Sequence, residues 1–178
     1  MHIFLCAFQD SLLAAWNAVV CTYVPVIERR GHSLETVSGD ITGLSVAAVV
    51  SPANSYGYMR GGVDLAYTHF FGPGVEVAVQ RRIAALPGQL LPVGEAIAVA
   101  TGNERIPYLV SAPTMERPMR LKGPEPVLVA TRAATVESLR QGYPSVAFPG
   151  MGTGTGGLPF VVAARAMLQG IVEGLERI

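Results

Sequence analysis

Residues 51–64 read SPANSYGYMRGGVD, and they gather Asn54, Arg60, the pair Gly61-Gly62 and a single carboxylate, Asp64, at the end of an apolar run. Residues 148–159 read FPGMGTGTGGLP, where Gly152, Thr153, Gly154, Thr155 and Gly156 leave nearly bare backbone with two hydroxyls. Amide N–H groups with no side chains over them, ahead of a helix N-terminus, suit a phosphate or diphosphate. Gly61, Gly62 and Val63, just ahead of the helical stretch VDLAY, offer a second cradle of the same kind. Asn54 brings an amide that donates and accepts, which suits sugar hydroxyls. Arg60 is either a bidentate partner for a diphosphate or a solvated loop cation. Asp64 is either a proton acceptor beside the ligand or a first-turn carboxylate facing the helix dipole. Tight turns needing positive φ are the plain alternative for the glycines, but a turn rarely needs so many in one place.

Gly152, Gly154 and Gly157 also satisfy GxGxxG, the dinucleotide fingerprint. That pattern needs a following strand with an acidic residue about 20 positions on, and no such βαβ unit follows here. A nicotinamide-dependent oxidoreductase is therefore not expected.

The segments that must position these loops alternate in type. HIFLCAF, SLETVSG, SVAAVVS, EAIAVATG, RIPYLVSAP and SVAFPG read as strands. SLLAAWNAVV, VDLAYTHFFG, VEVAVQRRIAAL, PVLVATRAATVESLRQG and PFVVAARAMLQGIVEGLERI read as helices. Asp10 or Ser11 is expected to cap the first helix, and Pro25 to break or kink a helical stretch running toward IERRGH, which Gly31 ends. Short, continuously apolar strands separated by helices imply an α/β fold, a three-layer α/β/α sandwich around a mixed, largely parallel sheet. Ligands in such sheets bind beyond the carboxyl ends of the strands, where both glycine-rich loops fall.

The chain has 178 residues, half of them apolar, which fits a single domain over 1–178 with a sizeable core. Thirteen basic and thirteen acidic side chains cancel without a block of either sign. An electrostatic partnership with a nucleic acid backbone or an anionic membrane is not expected, a modified nucleic acid as substrate aside. Cys6 and Cys21 lie in apolar surroundings, and His2, His32 and His69 are scattered singly, so no metal site is legible. Both thiols are expected to be buried and reduced, which fits a cytoplasmic protein. The apolar start MHIFLCAF is too short for a signal core or a membrane span.

SGDITGLSVAAVVSPANSYGYMRGGVDLAYTHFFG resembles the macro domain signature, in which G-D-I-T opens the strand, N-A-A-N closes it and a glycine-rich loop ends in G-V-D before a helix. FPGMGTGTGGLP resembles that family's second loop, P-x-I-S-T-G-x-[YF]-G-x-P. The match covers about residues 38–72 and 146–168, with both motifs in the right order and spacing.

The resemblance implies a module that binds ADP-ribose and hydrolyses mono-ADP-ribosyl linkages or a related derivative, without a metal or other cofactor. The alternative it carries is a non-catalytic reader of ADP-ribose. By position, Asp40 would accept a hydrogen bond from the adenine amino group with Ile41 beside the ring, and Asn54 would contact the distal ribose. Gly61, Gly62 and Val63 would line the first phosphate loop, and Thr153, Gly154, Thr155 and Gly156 the second. Asp64 would activate water or the ribose hydroxyl near C1″, making Asp64 and Asn54 the catalytic pair. The partner is then ADP-ribose or an ADP-ribosylated protein. The sequence departs from the family pattern at Ser51, which replaces the first asparagine of N-A-A-N, and at Met59-Arg60, which replace half of the glycine run. Gly156 stands where many active members place an aromatic ring, which Tyr56 or Tyr58 would have to replace.

Overall fold

The computed structural model describes residues 1–177. Its strands are β1 (His2–Ala7), β2 (Ser33–Ser38), β3 (Ala48–Ser51), β4 (Ile97–Ala100), β5 (Tyr108–Ser111) and β6 (Ser145–Phe148). They form one sheet in the order β2-β1-β6-β3-β5-β4. The pairs β2-β1, β1-β6, β6-β3 and β3-β5 are parallel, and β4 runs antiparallel to β5. The helices are α1 (Asp10–Val19), α2 (Val24–Arg29), α3 (Gly62–Phe71), α4 (Gly74–Ala84), α5 (Glu125–Arg140) and α6 (Phe160–Leu175). The expected α/β/α sandwich with a mixed, largely parallel sheet is the observed one. No helix among the described residues is long and apolar enough to cross a membrane.

Alternation along the strands divides the core in two. Ile3, Leu5, Val50, Val110, Val146 and Phe148 face α1, α2, α5 and α6, and pack with Trp16, Ile27, Met167 and Ile171. Val49, Leu109 and Ala147 face the other way, toward Tyr67 of α3, Val75, Val79 and Ile83 of α4, and the loop residue Met59. Because both faces are covered, the central strands are apolar at nearly every position rather than at alternate ones.

The layer of α5 against α6 is built from small residues. On α5, the buried Thr131, Thr135 and Ser138 return their hydroxyls to the carbonyls of Val127, Thr131 and Ala134, so no polar group is stranded. A Cβ added at Gly170 on α6 would stand 2.5 Å from the Leu128 carbonyl oxygen and 3.0 Å from the Arg132 nitrogen. Both are backbone atoms in a helix that cannot yield. Gly170→Ala is therefore expected to destabilise by about 1–3 kcal/mol in a chemical denaturation curve. On an exposed helix face the same change would stabilise by up to about 1 kcal/mol, so the sign alone checks the packing.

Three local expectations are corrected. Gln9, not Asp10 or Ser11, is the N-cap of α1, and it makes no side-chain cap bond. Asp10 lies in the first turn, where its charge still suits the dipole. Pro25 does not break a helix but opens α2, where its missing N–H costs nothing. Cys6 is buried, but Cys21 is exposed. Cys21 falls in a 3-10 turn, Val20–Thr22, that follows the end of α1 and contributes no buried residue.

Candidate functional site

Because five strands run in parallel, the segments after β1, β2, β3, β5 and β6 all emerge along one edge of the sheet. They enclose a cleft of about 860 Å³, within the usual range for a small-molecule site. Asp40, Ile41, Asn54, Arg60, Gly61, Gly62, Val63 and Asp64 line it together with Gly152, Thr153, Gly154, Thr155 and Gly156. Residues about 110 positions apart in the chain thus meet across one opening.

At one end, Phe8, Gln9, Gly39, Asp40 and Ile41 form the wall. The Oδ1 atom of Asp40 accepts from the Thr42 backbone N–H at 2.9 Å and the Thr42 hydroxyl at 2.8 Å. These bonds cap a short 3-10 turn, Ile41–Gly43, and use Oδ1 alone. Phe8 is 84% exposed. A phenyl ring standing in water at the mouth of a cleft, beside a carboxylate, is a surface a flat ligand ring would cover. The sequence reading missed Phe8 because the apolar run HIFLCAF hides it among core residues. The sign available was its place at the carboxyl end of the strand, directly before Gln9-Asp10. Cys6, also in the wall, donates its thiol to the Gly39 carbonyl at 3.4 Å. Burial, helped by the nearby Asp40, pushes that thiol up to about 11, so it stays neutral.

The loop after β3 is the first cradle. The Asn54 carboxamide closes it on itself: Oδ1 accepts from the Tyr56 N–H at 3.1 Å and the Tyr58 N–H at 3.4 Å, while Nδ2 donates to the Tyr58 carbonyl at 3.1 Å. Asn54 is thus first a loop-former, with one amide hydrogen left for another partner. Met59, which replaces a glycine, is wholly buried in the α3/α4 core. Its N–H donates to Glu76 Oε2 at 2.7 Å, and its carbonyl accepts from the Thr68 hydroxyl at 3.1 Å. These two bonds anchor the loop to α4 and α3. Arg60 is three-quarters exposed at the rim, 3.8 Å from Glu76 and with its guanidinium 4.9 Å over the Tyr58 ring.

Gly62 has φ +55°, a conformation other residues rarely adopt. Gly61 is different: its backbone is extended, and a Cβ added there would meet nothing within 4 Å. In the second cradle, Gly152 has φ +75° and Gly156 would drive a Cβ to 2.6 Å from the Gly152 carbonyl. Gly154 needs neither a positive φ nor a close approach, and a Cβ there also stands in open space. Each cradle therefore holds one glycine that the fold itself does not require.

Asp64 is buried on the cleft floor, in the first turn of α3. It does not cap that helix, whose N-cap is Gly61. Instead its Oδ1 accepts from the hydroxyl of Ser51 at the end of β3. Burial pushes the carboxyl up to about 7, the Ser51 hydrogen bond draws it down, and the negative Glu76 raises it further. The serine that departs from the asparagine pattern is thus the partner of this carboxylate. Ser51 pairs in register with Ser111 on β5, which is also fully buried and whose hydroxyl has no partner among the described residues. Tyr67, one turn along α3, donates its hydroxyl to the Val50 carbonyl at 3.0 Å and is held protonated by burial beside Asp64.

The profile of the Macro domain family matches residues 50–167. A protein of Aquifex aeolicus is 38% identical over 138 residues, covering 78% of this chain and 80% of its own. An O-acetyl-ADP-ribose deacetylase of Escherichia fergusonii is 30% identical and covers 81% of each chain. A glycine-to-valine variant of the Oceanobacillus iheyensis macrodomain, solved with ADP-ribose, superposes with a TM-score of 0.68 at 27% identity, covering 78% of this chain and 76% of that one.

Proposed function

The chain belongs to the Macro domain family, and from that premise we propose that its cleft binds ADP-ribose and hydrolyses a bond at the anomeric carbon of the distal ribose. The observation that carries the binding is that Gly61 and Gly154, where neither a positive φ nor a close approach requires glycine, both line the one cleft and leave its backbone bare. The diphosphate lies between them, held by backbone N–H groups of both cradles. The adenine rests between Phe8 and Ile41 with Asp40 on its amino group, and the distal ribose reaches Asn54 and Asp64.

The chemistry follows from that placement. A water held between diphosphate and Asp64 gives up a proton to the ionised carboxylate as its oxygen adds at C1″, while the bond from C1″ to the acceptor breaks and the acceptor leaves with that electron pair, as a carboxylate from an acidic side chain or as a guanidine that takes up a proton. The nearby negative charge also stabilises the oxocarbenium character of the transition state. Ser51 orients the carboxylate through its hydroxyl. Candidate substrates for this step are mono-ADP-ribosylated proteins, at acidic or arginine side chains; on a small derivative such as the one named for the E. fergusonii relative, the same water would instead add to the acetyl carbonyl and release acetate. We place the activity in the cytoplasm.

Calorimetric titration of ADP-ribose tests the binding. Gly154→Val is expected to leave the melting temperature within about a degree, since a Cβ at this position meets nothing within 4 Å. The same variant is expected to weaken ADP-ribose binding at least tenfold by occupying the diphosphate's space. Equal affinity in variant and wild type would refute this placement of the diphosphate.

A second reading, a reader without turnover, is favoured by one observation: the Asn54 carboxamide is largely committed to its own loop. Release of ADP-ribose from a modified substrate separates the two.

A further inference from the structure

Behind the cleft floor lies a hydroxyl that the proposed chemistry leaves unused. Ser111 ends β5 and is fully buried, and its Oγ has no hydrogen-bond partner among the described residues. Leaving a buried hydroxyl unpaired costs free energy, and buried polar groups are nearly always paired.

Strand register supplies the partner. Ser111 stands directly beside Ser51 of β3, and the Ala112 N–H closes the two strands there by donating to the Ser51 carbonyl at 2.9 Å. Alternation puts both serine side chains on one side of the sheet. Val49 and Leu109, each two residues earlier, belong to the core under α3 and α4, whereas Val50 and Val110 belong to the other core. The neighbour of Ser111 on its other flank, Ile97 of β4, is apolar and offers nothing. At the strand spacing of about 4.8 Å, two serines on one face reach each other by rotation about χ1 alone. Ser51 gives its single hydrogen to Asp64 Oδ1, which leaves its lone pairs to accept.

We propose that Ser111 is a positioning residue for Asp64: its hydroxyl donates to Ser51 Oγ, which donates to Asp64 Oδ1, so that a relay of two serines beneath α3 fixes the carboxylate and leaves Oδ2 to the cleft. When Asp64 gains a proton, both hydroxyls turn and the relay runs the other way, from Asp64 through Ser51 to Ser111.

The two directions are unequal. A hydrogen bond to a charged acceptor is roughly twice as strong as a neutral one, and a donor behind Ser51 strengthens the bond that Ser51 makes. The relay therefore favours the ionised carboxylate, against burial and against the negative Glu76 on α4, which both favour the protonated one. Arg60 at the rim stands 3.8 Å from Glu76 and offsets part of that charge. Of the other titratable groups around this floor, Tyr67 on α3 and Cys6 on β1 are held neutral, and Asp40 faces them from the loop after β2. The consequence for catalysis rests on the ADP-ribose reading of the cleft, whereas the relay itself does not.

The test follows the Asp64 carboxyl carbon by NMR across pH in the full chain, for wild type, Ser111→Ala, Ser51→Ala and the double variant. Each change removes one oxygen from a buried strand and adds no bulk, so the fold is kept. Ser111→Ala is expected to raise the Asp64 midpoint by about half a pH unit, and Ser51→Ala by about one unit. In the Ser51→Ala background, Ser111→Ala is expected to add nothing, because the relay is already cut. The acid limb of kcat/KM for ADP-ribose release is expected to move with the Ser111→Ala midpoint. A midpoint that stays in place in Ser111→Ala, or that moves equally with and without Ser51, overturns the relay. Midpoints that move as expected in a protein that releases no ADP-ribose uphold the relay and overturn the hydrolytic reading instead.

Discussion

Asp64→Asn is expected to slow ADP-ribose release by about 10²- to 10⁴-fold, the contribution of one positioned general base, while ADP-ribose still binds within a few-fold of wild type. Asparagine keeps the shape of the carboxylate and still accepts from the Ser51 hydroxyl, so the cleft floor is unchanged. What it lacks is a site for the proton. Because the carboxyl of Asp64 titrates at about 7, the wild-type rate should rise about tenfold per pH unit below that value and level off above it. A rate that falls above pH 7 would instead assign the protonated carboxyl as a donor. Binding with no release from any substrate, in wild type as in variant, would leave the reader.

The same substitution is expected to stabilise the protein, and only above acid pH. The carboxyl is raised from 3.8 to about 7 by burial before any other cause. In the unfolded chain it ionises near 3.8, whereas in the folded chain it holds its proton until about 7. Below 3.8 both states are protonated and the group contributes its full share of stability. Between 3.8 and 7 that share is progressively lost, because folding must take up a proton or bury a charge. Above 7 the loss is complete, about three units at about 1.4 kcal/mol each, or on the order of 4 kcal/mol. Asp64→Asn should therefore match wild type in urea denaturation at pH 4 and exceed it by up to that amount at pH 8. Equal stability at both values would mean that the carboxylate is better solvated than its burial implies. A buried carboxylate that weakens the fold at working pH is the kind of cost found where a residue is kept for chemistry.

Much of the architecture was legible because it rests on local physics. Apolar runs such as SVAAVVS and SVAFPG bury on both faces, and SLLAAWNAVV repeats at helical spacing. The cleft-lining set was legible for a different reason: glycine clusters at strand ends have few uses other than tight turns and ligand contact. Three features were not legible. Phe8 sits in an apolar run, and only the sheet's end decides that it leaves the core. Cys21 sits in an equally apolar run, and the end of α1 at Val19 decides that it stays outside. Met59 and Ser51 looked like losses against the family pattern, yet one anchors the first cradle and the other bonds the carboxylate.

Layer order, the two bare-backbone loops and the presence of one carboxylate between glycines and helix all follow from residue type and short-range spacing. What Asp64 does, by contrast, is a matter of packing. Its titration depends on exclusion from water beneath α3, on a serine 13 residues away and on a glutamate 12 residues away. Those neighbours are set by how strands and helices pack. The parallel sheet likewise brought Asn54 and Asp64 to the same cleft as Thr153 and Gly154, because loops distant in the chain leave the same edge.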